Sequence, residues 1–224
     1  MRKWLVTFII LFTSTSAMPQ TIAALKTYLA LGDSYTIGES VAAADCFPMQ
    51  TVAQARQVGI HFQTPEIIAV TGWTTGNLIH RIEKNPPEKH SYDLVSLLIG
   101  VNNQYQGRSL DEYREEFRLL LEKSIRLAGG LAGHVIVLSI PDYSVTPFAQ
   151  GSDRMAISHA IDSFNQINRA LSMQYEVHYV DITEESRKAR SDASLVAEDG
   201  LHFSGKEYAI WADKLSKLIR QIME

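Results

Sequence analysis

The chain has 224 residues, 46% hydrophobic and 21% charged, with a formal net charge of -4. That balance excludes large-scale disorder and allows one domain with a sizeable core. It also lacks the basic footprint expected for binding to nucleic acid or an anionic membrane surface.

The chain begins with MRK, then the apolar run WLVTFIILF, then the small polar TSTSA. This is the order of a secretory signal peptide. Trp4–Phe12 is too short to span a bilayer, which needs roughly 20 apolar residues. The expectation is a leader over residues 1–24, cleaved after Ala17 or Ala24, and a single domain over 25–224. The mature protein would be exported, periplasmic or secreted, without a stable membrane span. Losing Arg2 and Lys3 takes its charge from -4 to -6. Cys46 is the only cysteine, which excludes an intramolecular disulfide and a cysteine-rich zinc site. It reads as a small buried hydrophobe.

Five short apolar runs follow: TYLAL (27–31), EIIAV (66–70), DLVSLLI (93–99), HVIVLSI (134–140) and VHYVDI (177–182). Several are apolar on consecutive positions, as strands covered on both faces are. Between and after them lie one-sided helices. Tyr113, Phe117, Leu120, Leu121 and Ile125 share one face, with Ser109 and Glu112 spaced as a capping box. Ile157, Ile161, Phe164, Ile167 and Leu171 mark the next long helix, and Trp211, Leu215, Leu218 and Ile222 the last. Alternating strands and helices imply an α/β fold with a five-stranded parallel sheet and right-handed crossovers, for which the order 2-1-3-4-5 is expected. Residues 183–203 show no period; a loop of that length in a compact domain is usually functional.

Open parallel sheets bind ligands beyond the carboxyl ends of their strands. After the first strand comes GDSYTIG with Ser34, after the second TGWTTG with Gly72, after the third GVNNQ with Asn102. In the expected order these strands are neighbours, spaced about 4.8 Å apart. Ser34 is a candidate nucleophile. The N–H groups of Ser34 and Gly72 and the Asn102 side-chain amide are candidate donors to one developing oxyanion. A serine hydroxyl needs a base. The aperiodic segment can carry His202 across the rim to Ser34, with Asp199, three residues earlier, orienting the imidazole.

A rival reading of the same segment is the spacing G-x-x-x-x-G-K from Gly200 to Lys206, that of a phosphate-binding loop. Glu207 stands where such a loop has Ser or Thr, no strand pattern precedes it, and a glutamate there repels phosphate. No G-x-S-x-G, H-E-x-x-H or G-x-G-x-x-G motif occurs either.

GDSYTIGE (32–39), GWTT (72–75), GVNN (100–103) and DGLH (199–202) together resemble, in order and spacing, the four sequence blocks of the SGNH hydrolases, also called GDSL lipases and esterases. The resemblance implies a flavodoxin-like three-layer α/β/α fold and serine hydrolase activity. It makes Ser34 the nucleophile, Gly72 and Asn102 oxyanion donors, Asp199 the acid and His202 the base. Two positions depart from the family pattern. Tyr35 replaces the usual Leu after the serine and is expected to touch neither nucleophile nor base. Asn103 replaces the usual Asp of the third block, so any bond or charge effect of that carboxylate is missing.

The expected function is hydrolysis of a small ester or lipid substrate, with no metal or cofactor required. Tyr35, Trp73, Tyr105 and Phe148 are candidates to line an acyl pocket, or to pack the rim loops onto the core. Simple carboxylic esters, lysophospholipids, thioesters and sugar acetates all remain open as substrates. A non-catalytic binding protein and a nucleotide-binding protein are the readings from other classes.

Overall fold

The computed structural model describes Met1 and residues 25–223. The expected leader therefore lies almost wholly outside the described residues. Strands β1 (Tyr28–Gly32), β2 (Glu66–Ala69), β3 (Leu94–Leu98), β4 (Val135–Leu138) and β5 (His178–Val180) form one sheet of order β2-β1-β3-β4-β5. Every neighbouring pair is parallel. The three central strands are buried along their whole length, which is why they read as unbroken apolar runs; β2 and β5, on the edges, are only partly covered.

The helices in chain order are α1 (Ser34–Ile37), α2 (Phe47–Gln57), α3 (Thr75–Lys84), α4 (Val101–Tyr105), α5 (Leu110–Leu127), α6 (Arg154–Gln174), α7 (Thr183–Ser186) and α8 (Gly205–Met223). They flank the sheet, α2 packed on α8, and α5 packed on both α3 and α6. The long helices match their apolar spacing: α5 buries Tyr113, Phe117, Leu120 and Leu121, and α8 buries Trp211, Leu215 and Ile219. At the start of α5 the Ser109 hydroxyl accepts the Glu112 N–H, half of the expected box, while the Glu112 carboxylate turns to Arg108. Cys46 is a buried free thiol just before α2. Among the described residues no helix is long and apolar enough to cross a membrane.

The register sets the site. Gly32 pairs with Ala69 of β2 and Leu98 of β3, so three strands end level. Their outgoing loops leave the same edge side by side. The chain leaving β4 is held by Asn165 of α6, whose side chain accepts from the Ile140 N–H and donates to its carbonyl.

Candidate active site

Ser34 opens α1 directly after β1. Asp33 caps that short helix, its carboxylate accepting the Tyr35 N–H, and is itself buried. Burial pushes the Asp33 carboxyl up to about 7, against hydrogen bonds from the Tyr35, Gly100 and Asp33 amides that favour the charged form. Ser34 is 5% exposed.

Asn102 rides on α4, which begins at Gly100. That glycine has φ 132°, and a Cβ there would lie 2.7 Å from the Tyr113 ring. The Asn102 amide donates to the Trp73 carbonyl at 2.9 Å, tying α4 to the loop after β2. Gly72 in that loop has φ 82°, the left-handed region that glycine enters without steric cost. Asn103, where the family usually has Asp, is fully buried. Its carbonyl accepts the Thr75 N–H and its amide donates to the Thr75 hydroxyl, which in turn donates to Glu116. A neutral amide thus supplies both an acceptor and a donor at the start of α3.

His202 arrives on the segment 183–203, which is not an open coil. It contains α7, short 3-10 turns over 187–190 and 193–195, and an antiparallel bridge between Val196 and Phe203. The Ala197 N–H donates to the His202 carbonyl, and the fully buried Phe203 packs on Trp211 and Tyr35. His202 Nδ1 lies 2.5 Å from Asp199 Oδ2. Asp199 Oδ1 accepts the N–H groups of Leu201 and His202, and Oδ2 also accepts the Ser40 hydroxyl at 2.7 Å. Partial burial works to raise the Asp199 carboxyl; bonds from the His202 ring, the Leu201 amide, Ser40 and the His202 amide outweigh it and hold the group well below the usual carboxylate range.

These elements meet at a cavity of about 210 Å³. Ser34, Asn102 and His202 line it, so the nucleophile, one oxyanion donor and the base expected from sequence share one space. With Nδ1 bonded to Asp199, Nε2 is the imidazole nitrogen left for that space. Of the four aromatic candidates, Tyr35, Tyr105 and Phe148 also line it. Gly72 and Trp73 do not. Trp73 packs against the hydrophobic core, and the Gly72 loop reaches the site through the Asn102–Trp73 bond. Tyr35 corrects its expectation: its ring packs edge-on against His202 at 5.5 Å, because the first turn of α1 lies against the histidine loop.

Tyr143 and Leu201 also line the cavity without having been singled out in the sequence. Tyr143 follows β4, and reading the carboxyl edge one strand further would have reached it. Tyr105, Tyr143 and Phe148 form an aromatic trio with centroids 6.0–6.3 Å apart. Its loop is pinned from below by the fully buried Asp142, which takes bonds from Ser158, Ser144 and Arg187.

The phosphate-loop spacing does not form a cradle. Lys206 is held by Asp192 and Ser194, and the buried Glu207 accepts from the Trp211 indole. No group of three or more His, Cys, Asp or Glu among the described residues could hold a metal.

Comparison with known proteins finds a matching family model and solved structures of similar fold. The sequence model of the GDSL-like lipase/acylhydrolase family matches residues 30–210. None of the curated proteins matches the chain. Solved structures similar in fold include a lipase/acylhydrolase from Enterococcus faecalis (TM-score 0.70, 16% identity, 88% of this chain and 96% of that one). Another is TesA (TM-score 0.69, 15% identity, 88% and 99%). A third is an acetylxylan esterase from Geobacillus stearothermophilus (TM-score 0.65, 19% identity, 87% and 94%).

Proposed function

The chain belongs to the GDSL-like lipase/acylhydrolase family and hydrolyses ester bonds, and from that premise we propose that it does so through a Ser34–His202–Asp199 triad and an acyl-enzyme. The observation that carries this reading is the shared cavity of Ser34 and His202, with the imidazole held through Nδ1 by Asp199.

His202 Nε2 takes the Ser34 proton as Oγ attacks the ester carbonyl. The carbonyl oxygen becomes an anion, received at the cavity by the Ser34 amide and the Asn102 side chain. Asn102 spends one N–H on the Trp73 carbonyl and keeps the other for the oxyanion. The tetrahedral species collapses, His202 returns the proton to the leaving alcohol, and the acyl group stays on Ser34. Water then attacks with His202 again as base, releasing the acid and restoring the hydroxyl. Every step uses groups of this chain.

The small aromatic-walled cavity supports a short or single acyl chain. Sugar acetates and thioesters follow the same steps with a different leaving group. The leader-like residues 1–24 support action outside the cytoplasm; N-terminal sequencing of the mature protein decides this. For the triad, an organophosphonate serine probe labels Ser34 once, and Ser34→Ala loses both labelling and hydrolysis of p-nitrophenyl esters while keeping its melting temperature. Hydrolysis retained by Ser34→Ala rejects the assignment. A series of p-nitrophenyl esters of rising chain length, with lysophospholipid beside it, reads out substrate preference.

A further inference from the structure

Ser40 carries an unusual backbone for a serine. Its φ is +65°, one of two non-glycine residues among those described with positive φ. The left-handed region is unfavourable for a residue with a Cβ and persists where surrounding contacts enforce it. Those contacts run in two directions. The N–H groups of Gly38 and Glu39 both donate to the carbonyl of Ser34, and Val41 N–H closes the turn on Gly38. The Ser40 hydroxyl donates to Asp199 Oδ2, the same oxygen that faces His202 Nδ1. The neighbouring Glu39 carboxylate accepts from Thr71, the residue before Gly72.

We propose that Ser40 is a positioning residue for the reaction, its hydroxyl fixing the Asp199 carboxylate so that Oδ2 stays aimed at the imidazole. The inference rests on the triad reading given above. The two N–H donors of Asp199 Oδ1 come from its own loop, Leu201 and His202, and move with it. Ser40 is the donor supplied from the nucleophile's side. It registers the acid against the backbone of Ser34, across 159 residues of sequence. Among the described residues, Tyr35 on α1 packs against the imidazole, and Tyr105 and Tyr143 are the other titratable groups lining the cavity with it. Glu39 is the charged group on the Ser40 turn itself.

Ser40→Gly separates the hydroxyl from the backbone, because glycine adopts this φ freely. Ser40→Ala removes the same hydroxyl and keeps the Cβ. Ser40→Asn tolerates the left-handed region and restores a donor. Each is compared with the wild type in steady-state hydrolysis of p-nitrophenyl acetate across pH, and in the proton resonance of the His202 Nδ1–H. In Ser40→Gly, kcat falls roughly ten-fold at unchanged KM, the rate equivalent of one hydrogen bond to a charged group. The Nδ1–H resonance broadens through exchange. Ser40→Ala behaves alike, and Ser40→Asn recovers most of the loss.

An Nδ1–H resonance in Ser40→Gly identical to that of the wild type overturns the inference, whatever the activity. A wild type that neither labels with phosphonate nor hydrolyses esters overturns the triad reading, while the resonance comparison still decides whether Ser40 holds Asp199.

Discussion

Ser34 and His202 reach the same cavity by opposite means. Ser34 is placed by backbone: a wholly buried strand ends, Asp33 caps a four-residue helix, and the hydroxyl stands at its first position. His202 is placed by side chains, through the Asp199 bonds, the Phe203 anchor and the edge of Tyr35. Regular structure sets the position of a group following a central strand, whereas a group delivered from an edge strand needs its own buried anchors. The two sides should therefore fail differently when mutated.

The largest effect is expected from His202→Ala, which removes the proposed base and leaves the anchors. Ester hydrolysis drops at least about 10,000-fold, with the melting temperature unchanged in a thermal scan. Phe203→Ala does the reverse, keeping His202 and cutting its anchor. It costs about 3–5 kcal/mol in denaturant unfolding, and activity falls with it. On the backbone-placed side, Asn102→Ala is expected to lower kcat about 100- to 1,000-fold by removing one proposed oxyanion donor.

The smallest and most diagnostic effect concerns Asp33. Its folded-state value of about 7 lies above the ordinary 3.8, so folding favours the protonated acid. That contribution is complete below about pH 4 and is lost as pH rises through about 7. Asp33→Asn keeps a capping oxygen and cannot ionise. It should raise the melting temperature at pH 8 and leave it unchanged at pH 4; an equal shift at both values would show that ionisation is not the cause.

The same contrast explains what the sequence discloses. All five strands and their order follow from residues such as Leu94–Leu98, apolar without a break because both faces are covered. Helices α5, α6 and α8 are legible in their one-sided spacing. Helix α2 is not, because it buries a mixed set, Phe47, Pro48, Thr51, Val52 and Ala55, with no clear apolar stripe. Ser34, Asn102 and His202 are legible because each sits in a short local motif beside a strand end or a helix start. Ser40 carries no such signal. Its partner is fixed only by the folded path of the chain, as is the contact between Tyr35 and His202.

The docking of α8 on α2 closes the circuit between the two halves of the chain. On the proposed mechanism, a ribosome would release the nucleophile early and the base almost last. A nascent polypeptide holding Ser34 would remain chemically silent until its final helix seated, so hydrolytic power would appear only with the finished molecule. Removing that helix should accordingly leave a chain with its serine intact and no turnover.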